Sequence, residues 1–278
     1  MRANVDRQPA GNGRGDIRTR RRRARLVWAW LWSGLLGIVF VAVTVLTMSL
    51  WVVDPDYTET TPVSDLSFFA LGAMMTAGFA SQSKGHPPAA GPIQGLITAS
   101  ALALCGLLGG RSEPLAGGAL LTAAAAVLLI LHPDPRGLLD RHGTPRPAGA
   151  VLTVVAAASG LGYAAVMLAA ARAAGPSCFL GQCAHGDRLA EMAATAVAIP
   201  GLAALAAWRV DGWRLPLWSA GLGALTLGAS SVALPHATGS LGALGGTAAI
   251  AWGVTLVALG EHDRIRAQRT PALRSETS

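Results

Sequence analysis

Charge is what this sequence has least of. Among 278 residues only 22 are Lys or Arg and 15 are Asp or Glu, so 13% are charged, about half of the roughly 25% usual in a soluble domain. That shortage excludes water as the main solvent of the folded chain. Lysine is nearly absent, with Lys84 the single example, and the Arg, Ala and Gly that dominate instead suggest a bacterial genome rich in G and C. The familiar catalytic signatures are missing as well. There is no phosphate-cradling GxxxxGK loop, no HExxH, no CxxC pair and no GxSxG elbow, so no motif names a reaction, a cofactor or a metal.

What fills the chain is apolar. Runs of Ala, Leu, Gly and Val reach the ~18 to 20 residues needed to cross a bilayer core, and a helix is the element that satisfies its own backbone groups there. The runs lie at about Leu26 to Val53, Asp65 to Gln82, Ile93 to Gly110, Leu115 to His132, Ala148 to Arg172, Leu189 to Trp208, Pro216 to Leu234 and Gly239 to Gly260. The expected fold is therefore all-α, an integral membrane bundle of about eight transmembrane helices. Only Arg111 to Pro114 divide the third run from the fourth, so that hairpin must turn tightly. The first run is too long for a signal-peptide core and lacks a small-residue cleavage site before Asp54, so it is read as a retained helix. Trp28, Trp30, Trp32 and Trp51 fall near its ends, where indole rings prefer the headgroup boundary.

The charges then fix a topology. Residues 1–25 form a Gly- and Arg-rich arm, expected to be disordered, that ends in Arg20, Arg21, Arg22, Arg23 and Arg25. With that arm inside, Lys84, the Arg136/Arg141/Arg146 loop, Arg209, Arg214 and the tail residues Arg264, Arg266, Arg269 and Arg274 of segment 261–278 all fall inside with it. Arg111, Arg172 and Arg188 are left outside. The positive-inside bias thus places both termini in the cytoplasm of a bacterial cell, around a membrane domain at 26–260. It also accounts for the net charge of +7 without nucleic acid, the basic arm being suited to anionic lipid headgroups. The halves, 26–132 and 148–260, align at an offset of about 122 to 124 residues, matching Asp65 with Asp187, Gly78 with Pro200 and Pro92 with Pro216. An even number of helices per half would make them parallel four-helix repeats.

Outer loops and helix ends carry the acids and the remaining chemistry. Asp54, Asp56, Glu59, Asp65 and Glu113 come from the first half; His185, Asp187, Glu191 and His236 come from the second. Carboxylates with imidazole suit general acid/base work, and Asp187 and Glu191, four apart, share one helix face. The candidate catalytic set is Glu191, Asp187, His185, Asp65 and His236. The competing reading makes Asp65 and Asp187 helix caps and the histidines loop residues. Glu191 fits that reading least, because an ionisable group one turn into an apolar span is costly. Cys178 and Cys183 share an outer loop where an oxidising exterior would permit a disulfide, whereas Cys105 is expected to be a small buried apolar residue. Pro200 should kink its helix, and Gly242 with Gly246 gives the small-xxx-small spacing of a helix contact.

The inner loop His132-Pro-Asp-Pro-Arg-Gly, followed by Asp140, Arg141 and His142, is first of all a helix stop. Its Pro-x-Asp-Pro-like element at a helix end, the polar link and the long apolar helix that follows, together with Val63-Ser-Asp-Leu-Ser before a Gly-containing helix, resemble bacterial polytopic membrane proteins catalogued as domain of unknown function 998. The resemblance runs from about Val63 to Leu259. His132 stands where an aromatic residue is typical, and the histidine expected in the next helix is missing. Since that family has no assigned activity, the resemblance implies an architecture and carries over no functional residue.

Three functions remain open to the sequence: a permease or efflux component for a lipophilic small molecule, an intramembrane enzyme acting on a lipid or isoprenoid at the outer face, and a non-catalytic accessory subunit. Away from their ends the spans lack ionisable side chains, which disfavours an ion-coupled pump.

Overall fold

The computed structural model describes residues 12–53, 62–84, 86–134, 138, 140, 147–175 and 184–275. Its long elements are eight α-helices: α1 (Asn12–Val53), α2 (Pro62–Ser81), α3 (Ala90–Gly109), α4 (Ser112–Ile130), α5 (Pro147–Ala173), α6 (Ala184–Ala207), α7 (Arg214–Ala233) and α8 (Gly242–Ser275). Each contains a stretch long and apolar enough to cross a membrane, and the fold is that of a multi-pass helical bundle. α1 begins at Asn12 rather than at Leu26. Residues 12–25, expected to lack regular structure, continue the helix, in keeping with the good helix propensity of Arg and Ala. The tight α3–α4 hairpin closes on Gly110 at φ +68. Its N–H donates to Leu107 O and that of Arg111 to Gly106 O, the paired closure that a left-handed glycine permits.

Burial separates an inner from an outer ring of helices. Of the α6 span 78% is buried, against 12% for α1 and 17% for α5 and α8. The inner helices are α2, α3, α6 and α7, and α1, α4, α5 and α8 pack around them. Leu31, Ile38, Leu120, Val154, Val166 and Leu244 point outward, an apolar exterior suited to lipid. The principal neighbouring pairs keep their pattern when the first four helices are exchanged for the last four: α1–α2 corresponds to α5–α6, α3–α4 to α7–α8, and α3–α6 to α2–α7. This is the packing expected of parallel four-helix repeats.

The two ends of the bundle differ in charge. At the basic end Arg25 Nη2 donates to Lys84 O, Ala90 N–H to Asp211 O, and Arg209 pairs with Asp263. At the acidic end Arg172 Nε donates to Leu108 O and Arg188 pairs with Asp65. The start of α1 and the end of the α8 span thus lie at one end, and Asp65, Asp187 and Glu191 at the other. His132, six per cent exposed, is buried against the backbones of Pro87 and Asp134, so it ties the end of α4 to the α2–α3 loop.

Between apolar helices in lipid, close van der Waals contact takes over from the hydrophobic effect. On the α7–α8 seam a Cβ on Gly253 would lie 2.7 Å from Gly221 O, and one on Gly246 2.7 Å from Gly228 O. The seam therefore uses Gly246 and Gly253, seven apart. Gly242, the other member of the Gly242/Gly246 spacing, opens α8 at φ +69, and a Cβ there would meet nothing within 4 Å. Gln94, fully buried, joins three inner helices by donating to Met74 O at 2.8 Å and Ser219 Oγ at 2.9 Å.

Candidate functional site

The acidic end assembles part of the predicted constellation around an arginine that the sequence reading had assigned only to topology. Arg188, in the first turns of α6, has Nε 3.7 Å from Asp65 Oδ1 of α2 and Nη1 3.1 Å from Glu191 Oε2 one turn further along. Its guanidinium lies 4.8 Å from the centroid of the Phe68 ring. Thr195 Oγ1, in contact with Glu191 O, reaches across to Ser67 O at 3.1 Å and fixes α6 against α2. Asp65 is 1% exposed, so Arg188 holds two sequestered carboxylates in one place.

Asp187 faces another neighbour. Only 4% exposed, it has no hydrogen-bond partner for either carboxylate oxygen among the described residues. The charges acting on it are those of Glu113, Arg111 and Arg188. Arg111 is itself buried, donates through Nη2 to Ala171 O and packs its guanidinium over Gly186. Neither Asp65 nor Asp187 is a helix cap. α2 begins at Pro62 and α6 at Ala184, so both acids sit inside the first turn, where the helix dipole favours negative charge.

Of the other predicted residues, His236 is exposed on the α7–α8 connection. Nothing is described of the His185 side chain, and the expected Cys178–Cys183 bridge lies outside the described residues, as do Asp54, Asp56 and Glu59. Cys105 is a free, buried thiol. Among the described residues no group of three His, Cys, Asp or Glu is arranged to hold a metal ion.

A second feature was not visible in the sequence. A cavity of about 290 Å³ lies between α5 and α8, backed by α6 and α7, with Gly160, Tyr163, Ala196, Pro200, Ala248 and Trp252 in its lining. α5 and α8 barely touch each other, and two hydrogen bonds bridge them. Trp252 Nε1 of α8 donates to Leu152 O of α5 at 3.0 Å. Tyr163 Oη of α5 donates to Gly239 O, just before α8, at 2.5 Å. The back wall is the interior proline of α6. Pro200 has no N–H, so the carbonyl four residues earlier, at Ala196, loses its helical donor. Gly160 faces that carbonyl, and a Cβ at 160 would lie 2.5 Å from the oxygen. None of the acidic-end residues lines this cavity.

No protein family model, curated protein or solved structure matches the chain. The functional reading therefore rests on the geometry above. That geometry offers an apolar hollow beside the outer helices of one half of the bundle and a compact ionic cluster at one end.

Proposed function

We propose that the protein is a multi-pass carrier of the bacterial cytoplasmic membrane, with both termini cytoplasmic, acting as a permease or efflux component for a lipophilic small molecule. The observation that carries this reading is the α5–α8 cavity. Its lining is almost wholly apolar, and the outer helices α5 and α8 form two of its sides. A lipophile dissolved in the bilayer could enter it sideways. The arginines at the basic end support the orientation, since they would then meet the cytoplasmic leaflet and its anionic headgroups.

The test is movement of lipophilic dyes by the purified protein reconstituted in vesicles, compared with an Ala248→Trp variant whose indole would occupy the cavity. The reading expects dye movement by the unmodified protein and loss of it on filling. Unaltered movement in the filled variant would refute the assignment to this cavity.

A second reading, an intramembrane enzyme acting on a lipid or isoprenoid from the outer face, is favoured by one observation: the sequestered carboxylate of Asp187 with neither oxygen hydrogen-bonded among the described residues. Against it, Arg188 occupies Glu191 and Asp65. Asp187→Asn should abolish turnover of such a substrate and leave dye movement intact; retention of turnover would eliminate this reading.

A further inference from the structure

The cavity is not the only hollow described beside α5 and α8. Toward the basic end a second hollow of about 90 Å³ lies among the same four helices, lined by Leu152, Ala206, Leu256, Arg209, Trp213 and Asp263 among others. The Trp252–Leu152 hydrogen bond joins the lining of one to the lining of the other, so an apolar chamber and a chamber with a charged mouth are neighbours.

Arg209 is held at that mouth from three directions. Its Nη2 is 2.9 Å from Asp263 Oδ2, its guanidinium lies 4.1 Å from the centroid of the Trp213 ring, and its backbone has φ +59. A left-handed conformation is ordinarily left to glycine or asparagine, yet here arginine occupies the turn that closes α6. Asp263 engages one guanidinium nitrogen, and a planar fork with further donors matches a carboxylate or phosphate. Nearby at the same end, Arg214 and Arg264 both pair with the carboxylate of Glu261.

Resting on the carrier reading, we infer that the cargo is a single-chain amphiphile with an anionic head, drawn from the leaflet at the basic end. The chain lies in the cavity walled by Gly160, Ala196 and Ala248, and the head sits on Arg209. The larger compartment alone, about 290 Å³, equals roughly ten water volumes of ~30 Å³, which suits one alkyl chain and is small for a two-chain lipid. Trp252 stands where the chain would pass from one compartment to the other.

The test uses the full-length protein in lipid nanodiscs, with a dansylated undecanoic acid and the corresponding neutral alcohol as probes. The unmodified protein should bind the acid roughly tenfold more tightly than the alcohol, the worth of one charge-assisted contact. Arg209→Gln should erase that preference and leave alcohol binding unchanged. Asp263→Asn, which removes the competing carboxylate, should raise acid affinity, giving a gain that a misfolded variant could not show. Ala248→Trp should weaken both probes. Equal binding of acid and alcohol by the unmodified protein, or a preference that survives Arg209→Gln, overturns the headgroup assignment while the carrier reading stands. Failure of both probes to bind, or full binding by Ala248→Trp, overturns the two together.

Discussion

Replacing Arg188 by methionine keeps the aliphatic length of the side chain over Phe68 and removes its charge. Buried Asp65 then loses this cation, and so does Glu191, whose side chain is 14% exposed. Breaking a buried pair by removing one partner costs about 3 to 5 kcal/mol, because the surviving charge is uncompensated. Arg188 is itself about a quarter exposed, so the lower figure applies. At roughly 2 to 4 °C per kcal/mol for a chain of about this size, the midpoint of thermal unfolding in detergent should fall by about 6 to 12 °C. Restoring neutrality supplies the control: Arg188→Met combined with Asp65→Asn and Glu191→Gln should recover most of that loss. Differential scanning fluorimetry through the native tryptophans would measure all three proteins. A single variant as stable as the unmodified protein, or a triple variant no better than the single, would refute the claim that Arg188 clamps α2 to α6 through charge.

The glycines of the bundle should respond with opposite signs. Gly253→Ala drives a methyl group against Gly221 O and should cost about 1 to 3 kcal/mol of stability, whereas Gly117→Ala, where nothing lies within 4 Å, should gain about 0.5 to 1 kcal/mol from helix propensity; unfolding of each variant in the same detergent compares them. Reporter tags at the two termini should both be protected from protease added outside intact cells, while a tag inserted beside His236 should be cleaved, and termini on opposite sides would break the alternation of the eight helices.

The eight helices were legible because each apolar run is of bilayer length and is punctuated by Pro, Gly or charge. The α3–α4 hairpin could be read from Gly110 and the short polar interval after it, and the placement of Asp65, Asp187 and Glu191 at one end follows from counting spans. Arg188 was harder to read. A lone arginine near a helix start counts toward topology, and only the packing of α6 on α2 shows that it reaches carboxylates 123 and three positions away in sequence. The α5–α8 cavity could not be read at all, since Gly160, Ala196 and Ala248 look like any other small residues in a chain with 34 glycines. Whether small residues close a seam, as Gly246 and Gly253 do, or leave a void depends on what the facing helix presents at the same depth. The helical course of residues 12–25 was missed for a different reason: a polar, Gly-bearing arm reads as unstructured by composition, while its arginines carry good helix propensity.

The meeting of Gly160 with the Ala196 carbonyl also limits how the two halves of the cavity wall can move. Because backbone meets backbone there, α5 cannot slide along α6 without driving side chains into that oxygen. Tilting about the glycine is the motion that preserves this contact. Tilting about a fixed mid-bundle point moves the two ends of α5 in opposite senses, so any widening of the groove beside Tyr163 would narrow it beside Leu152. A wall hinged in this way would grip the two ends of a bound occupant unequally.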